Sequence, residues 1–294
     1  MLCFAQVAGA GPFEDGSAAY DRGDYSTALK LWQPMAEKGD AKAQYNLGLM
    51  YLKGRGVAQD HKKAAQWFGK AAEQGNAEVQ NEIGQMYADG QGDTPNYKEA
   101  VRLFRKAAEQ GYAVAQQNLG AMYFSGEGVA QDYKEALKWY RKAAEQGVAR
   151  SQNELGVIYD TGQGVAQDNK EAMKWYRKAA EQGIARSQTN LGLMYHQGRG
   201  AAQDFKKAVT WYRKAAEQGD ALAQFNLGVM YAEEKGVRRD YTRAHMWWNL
   251  AGIAGDEEAI KLRDGIAKKM SPAQIAHAQE MAKRCQASNY KQCD

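Results

Sequence analysis

The nonapeptide WYRKAAEQG occurs three times, at Trp139–Gly147, Trp175–Gly183 and Trp211–Gly219, with successive copies 36 residues apart. The same step links Gly39, Gly75, Gly111, Gly147, Gly183, Gly219 and Gly255 without insertion or deletion. A fixed period of this size marks a stacked array, because one such unit cannot bury its apolar face alone and must lean on a copy of itself. The spacing predicts six full repeats over residues 40–255, a short opening helical repeat at 11–39 and a C-terminal helical cap at 256–294.

Two apolar stripes at helical spacing recur within each repeat. In the third full repeat Ala115, Leu119, Met122 and Tyr123 form the first stripe, a loop from Gly126 to Asp132 follows, and Ala136, Trp139, Tyr140, Ala143 and Ala144 form the second. Asp132 with Glu135, and Asp168 with Glu171, have capping-box spacing and open the second helix. Gly147 and its equivalents stand where a helix ends in a left-handed residue. A further series, Gly48, Gly84, Gly120, Gly156, Gly192 and Gly228, implies helices that approach too closely for a methyl group. The expectation is an all-α chain of helix–turn–helix units, with only four prolines to interrupt it.

Composition narrows the function. The formal charge is +4, and Lys and Arg alternate with Asp and Glu instead of forming blocks, which leaves no footprint for nucleic acid. Gly-x-Gly pairs at Gly54/Gly56, Gly90/Gly92, Gly126/Gly128, Gly162/Gly164 and Gly198/Gly200 lack the Lys-Ser/Thr of a phosphate loop and recur once per repeat, so they read as turns. Trp67, Trp139, Trp175, Trp211 and Trp247 keep strict register among alanines and read as packing. His61, His196, His245 and His277 share no repeat position or zinc-site spacing. Glu145, Glu181 and Glu217 close equivalent helices, so a catalytic role would require many copies of one active site. No enzyme, cofactor or metal is expected.

The stretch Ala41–Asp60, read as Ala-x-Ala-Gln-x-x-Leu-Gly-x-Met-Tyr-x-x-Gly-x-Gly-Val-x-Gln-Asp, followed by Lys-Ala-x-x-Trp-Phe-x-Lys-Ala-Ala-Glu-Gln-Gly at Lys63–Gly75, resembles the Sel1-like repeat, a relative of the tetratricopeptide repeat. The resemblance extends through HMWWNLAGIAGDEEA and the cap KKMSPAQIAHAQEMAKR. It implies a right-handed α-solenoid that binds or scaffolds other proteins, often in the bacterial envelope. Some cysteine-rich members are described as binding or hydrolysing β-lactams. They carry paired cysteines in successive repeats, and this chain does not.

The ends bear on location. MLCFAQVAGAGPFEDG is apolar up to small residues at Ala8-Gly9-Ala10, so residues 1–10 look like the remnant of a secretory signal, although no basic residue precedes them. No other apolar run is long enough to span a bilayer. Cys3 would leave with the signal, and an even pair, Cys285 and Cys293, would remain to form a bridge in an oxidising compartment. Ser271, Pro272 and Gln274 open the cap helix with a capping box. A periplasmic or secreted location is expected.

The repeats supply their own comparison. Gln44, Gln80, Gln116, Gln152, Gln188 and Gln224, and the series from Tyr51 to Tyr231, are invariant and serve the stack. A second stripe on the first helices varies from repeat to repeat. By resemblance this stripe lines a concave groove, and the candidate partner-binding residues are Tyr45, Leu49, Asn81, Gln117, Phe124, Arg150, Asn153, Asp160, Arg186, His196 and Phe225. Its mixture of apolar and polar groups suits an extended peptide or a helix. The expected function is a protein-interaction scaffold or adaptor. The alternatives are an inhibitor of an envelope sensor or protease, and, from another class, a cell-wall or β-lactam hydrolase.

Overall fold

The computed structural model describes residues 11–90, 94–291 and 293. The expected signal remnant at 1–10, with Cys3, and the turn residue Gly92 lie outside the described residues. Among the described residues the chain forms sixteen α-helices and no strand. It divides into two compact units, Met1–Lys142 and Ala143–Asp294.

The first unit holds α1 (Pro12–Asp21), α2 (Tyr25–Glu37), α3 (Ala41–Lys53), α4 (His61–Glu73), α5 (Ala77–Asp89), α6 (Tyr97–Glu109) and α7 (Ala113–Ser125). Helix α8 (Tyr133–Glu145) begins in it and ends past its boundary. The second unit continues with α9 (Ala149–Thr161), α10 (Asn169–Glu181), α11 (Ala185–Gln197), α12 (Phe205–Ala216), α13 (Ala221–Glu233) and α14 (Tyr241–Ile253), then α15 (Glu257–Ala267) and α16 (Pro272–Ala287). Within each unit, as far as α14, an odd-numbered helix pairs with the even-numbered helix that follows it, and pairs stack in sequence as an α-solenoid; α15 and α16 both pack against α14.

Local chemistry sets these boundaries. The odd helices from α3 to α11 end on a left-handed glycine such as Gly54, Gly126 or Gly198, at φ 65°, 80° and 71°. The even helices start behind a side chain that accepts a backbone N–H, as Asp204 does from Lys207 at 3.0 Å. The capping boxes expected at Asp132/Glu135 and Asp168/Glu171 form only by half. Each Asp accepts from the Glu backbone N–H at 3.1 Å. The reciprocal bond has no donor left, because the N–H groups of Asp132 and Asp168 already donate to the carbonyls of Tyr123 and Tyr159, both at 2.9 Å. Glu135 and Glu171 turn outward to Lys138 and Lys174 instead, at 2.9 and 3.0 Å. A complete box forms at α16, where Ser271 and Gln274 cap each other.

Two devices hold the stack together. The first is the invariant glutamine: Gln80 donates to the Ala72 carbonyl at 2.8 Å and Gln188 to the Ala180 carbonyl at 3.0 Å. These carbonyls lie at the ends of the preceding helices, where no intrahelical partner exists. The Oε1 atoms of the same glutamines accept from Gln110 and Gln218, both at 2.8 Å. The second device is a glycine facing an aromatic ring. A Cβ placed on Gly120 would meet the Tyr140 ring at 2.9 Å and one on Gly84 the Phe104 ring at 2.9 Å; Gly156, Gly192 and Gly228 face Tyr176, Tyr212 and Trp248 in the same way. The opening repeat uses it too, with Gly16 against Trp32. Of the tryptophan series, Trp139, Trp175 and Trp247 are buried, and Trp67 and Trp211 are half-buried. Burial of each such ring contributes about 1.5–3 kcal/mol. The Lys142 and Lys178 ammonium groups lie 4.5 Å over the Trp139 and Trp175 rings.

At the C-terminus a disulfide joins Cys285 to Cys293, both buried. The segment between them brings Tyr290 against Gly219. Among the described residues no helix is long and apolar enough to cross a membrane.

Candidate partner-binding face

The variable stripe of the first unit runs down α3, α5 and α7. At its top, Lys42 and Glu78 stand one repeat apart and form a 3.4 Å ion pair, so equivalent positions of neighbouring repeats are in direct reach. Tyr45 and Leu49 are half-buried against the core around Phe68 and Ile83. The Tyr45 ring lies 5.8 Å from that of Phe68. Burial, reinforced by the charge of a hydrogen-bonded Glu82, pushes its phenol pKa up. Phe124 is half-buried with its ring edge-on to Tyr133 at 5.2 Å. Gln117 is half-buried. Asn81 departs from the expectation of an accessible face: it is 7% exposed and accepts a 2.9 Å hydrogen bond from Asn118.

The stripe of the second unit runs down α9, α11 and α13. Its upper positions, Arg150, Arg186 and Leu222, are exposed, Leu222 at 49%. Neither arginine has an ion pair among the described residues. One turn below, the side chains sink into the stack. Asn153 is 3% exposed and accepts from the Ser187 hydroxyl at 2.7 Å. Thr189, at the same position one repeat later, is buried and donates to Asp220 at 3.0 Å. Asn153, like Asn81, therefore ties repeats together. Phe225 is half-buried, and its carbonyl accepts from the Trp248 indole at 3.1 Å.

At the lower end Asp160 and His196 occupy equivalent positions. Asp160 is ion-paired with Arg199 and is not a free carboxylate. Asp160, Arg186, Arg199 and Glu154 all act electrostatically on the buried Tyr176 phenol, whose pKa is raised chiefly by burial. His196 stands edge-on to Phe205 at 5.5 Å, with Nδ1 3.3 Å from the Tyr212 hydroxyl. Burial and then Lys235 lower its pKa below the ordinary histidine value, opposed by Glu233.

Arg199 and Arg55 come from the middle of Gly-x-Gly loops and Lys235 from the corresponding Glu234-Lys235-Gly236 loop; Arg55 donates to the Tyr20 hydroxyl at 2.8 Å. Arg55 and Arg199 each reach the first helix of the repeat before their own, while Lys235 pairs with Glu233 of its own repeat. These loop residues vary along the chain as Arg55, Gln91, Glu127, Gln163, Arg199 and Lys235. The sequence reads these loops as turns only. Among the described residues no cluster of His, Cys, Asp and Glu has the geometry to hold a metal ion.

The sequence matches the Sel1 repeat family profile seven times in succession, at residues 11–40, 41–76, 77–112, 113–148, 149–184, 185–220 and 221–256. Among solved structures, a Sel1 repeat protein from Oxalobacter formigenes is 34% identical, with a TM-score of 0.68 over 83% of this chain and 97% of that one. The protective antigen c5321 of uropathogenic Escherichia coli, which displays an SLR fold, is 29% identical with a TM-score of 0.41, covering 95% of this chain and 77% of that one. The ERAD-associated E3 ubiquitin-protein ligase component HRD3A of Arabidopsis thaliana is 40% identical over 57 residues, which is 19% of this chain and 8% of that protein's length.

Proposed function

This chain belongs to the Sel1 repeat family, whose members generally act in protein–protein interaction, and we propose that it holds an extended segment of a partner protein against the first-helix face of its repeats. The observation that carries the reading is the pair Arg150 and Arg186, exposed at one repeat position while Asn153 and Thr189 one turn below are committed to ties between repeats. The stack does not require them, since the same position holds Val114 and Leu222 elsewhere. A guanidinium presents a planar fork that suits a carboxylate. Beside them, exposed Leu222 and half-buried Leu193, Val229 and Phe225 offer apolar contact. The partner segment is therefore acidic with interspersed apolar residues.

The envelope is the proposed location. The Cys285–Cys293 disulfide supports it, because such bridges persist in oxidising compartments. Nothing in the family match or the solved relatives points to a hydrolase. The test is a photocrosslinking amino acid placed at Arg186 or, as control, at Lys174 on the second helix of a repeat. Crosslinking in intact cells followed by mass spectrometry is expected to give one dominant adduct from position 186. Equal or stronger adducts from position 174 alone would place the partner on the other face.

A further inference from the structure

The joint between α4 and α5 contains a cavity of ≈ 310 Å³. Its floor is apolar and buried, formed by Leu52, Phe68, Ile83 and Met86, while His61, Ala65, Pro95 and Asn96 form an exposed rim.

The repeats show why the space is there. At the next joint, Val101 of α6 is 6% exposed and packs with Leu119 and Met122, and Val129 from the following loop closes over them. The residue one repeat before Val101 is Ala65. Other repeats carry Leu137, Met173 and Val209 at the Ala65 position. Two ties are missing as well. Arg105 bonds the Tyr123 hydroxyl at 2.8 Å, whereas the equivalent residue one repeat earlier is Gly69, which has no side chain to reach Tyr87. Gln131 donates to the Phe124 carbonyl at 2.9 Å, whereas the equivalent residue is Pro95, which has no such donor. Three departures from the repeat pattern, at Ala65, Gly69 and Pro95, thus converge on one joint, and each removes filling or fastening.

We propose that this cavity is a binding site for a small aromatic molecule of one or two fused rings. Apolar cavities of even about 150 Å³ stay dry and admit a benzene ring, and ligand pockets begin at about 300 Å³. Leu52, Phe68, Ile83 and Met86 supply the apolar floor, and His61 and Asn96 supply polar groups at the rim for a ring N–H or hydroxyl. The site lies within the first unit and is independent of the face that carries Arg150 and Arg186.

The test uses indole as the probe, titrated calorimetrically into the full chain. Saturable one-to-one binding with a Kd of about 1 mM or tighter is expected. Ala65→Leu, which installs the residue found at Leu137, is expected to weaken that binding at least tenfold without lowering the melting temperature. Ala65→Val repeats the test with the smaller residue found at Val101, in case leucine overfills the site. Absence of saturable binding to the unaltered chain overturns the proposal, as does undiminished binding to a folded Ala65→Val or Ala65→Leu protein.

Discussion

Gly156→Ala is expected to destabilise the protein although it exchanges a poor helix former for the best one. A Cβ on Gly156 would lie 2.5 Å from Cε1 and 2.9 Å from Cγ of Tyr176. Ordinary carbon contacts are about 3.5–4.0 Å, so the ring must retreat by about 1 Å. Tyr176 has little room for that, being 2% exposed. Overpacking of this kind costs about 1–3 kcal/mol, while the gain in helix propensity returns about 1 kcal/mol. The net loss expected is up to about 2 kcal/mol, or as much as several degrees in Tm at about 2–4 °C per kcal/mol. Gly69→Ala isolates the second contribution: Gly69 is exposed inside α4 with nothing within 4 Å. It should therefore stabilise by about 0.5–1 kcal/mol. Thermal and urea melts followed by circular dichroism read both variants. The reasoning is refuted if Gly156→Ala melts at or above the unaltered chain, since the close approach would then have no energetic consequence.

Three further outcomes follow from the same geometry. Gln188→Ala removes the donor to the Ala180 carbonyl and the acceptor for Gln218, and should lower stability in urea melts by about 1–3 kcal/mol. His245 is 3% exposed and its Nδ1 has no partner; burial, then Arg263, hold its pKa below the ordinary value, opposed by Asp264. The unfolded chain therefore takes up a proton below about pH 6.5 that the folded chain resists. Stability from this group is full above that pH and falls as pH drops towards the folded pKa; urea melts across this range should show a shallower decline for His245→Met, the residue at Met173. Alkylation mass spectrometry should find no free thiol at Cys285 or Cys293 before reduction. Hydrogen exchange after reduction should rise only in the segment after α16, with the repeats unaffected.

Most of the fold is legible in the sequence because its determinants are local or strictly periodic. The left-handed glycines, the Asp caps and the Gly156-type contacts each recur every 36 residues, so each is seen several times over. What escapes is contact between repeats at positions that vary. Asn81 and Asn153 look like solvent-facing polar residues, yet their partners Asn118 and Ser187 lie 37 and 34 residues away. Asp160 looks free until Arg199 arrives from a loop 39 residues on. The halves of the capping boxes at Glu135 and Glu171 fail for a different reason: a tyrosine carbonyl from the preceding helix of the same repeat takes the N–H first. The opening repeat hides its Gly16–Trp32 contact because that pair is 16 residues apart, against 20 for Gly48 and Phe68. The candidate face consequently narrows in the second unit to Arg150, Arg186 and the apolar residues beside them.

The most direct test of that face is capture of the crosslinked partner by two double variants, measured as affinity with purified proteins. Arg150→Ala with Arg186→Ala changes the proposed face; Lys138→Ala with Lys174→Ala removes exposed helix-surface pairs to Glu135 and Glu171 and cation contacts with the Trp139 and Trp175 rings. The first pair should leave helicity and melting unchanged while weakening capture about tenfold or more, on the order of 1.4 kcal/mol. The second should leave capture unchanged. Loss of capture in the lysine pair with full capture in the arginine pair would contradict the account and place the partner on the second helices.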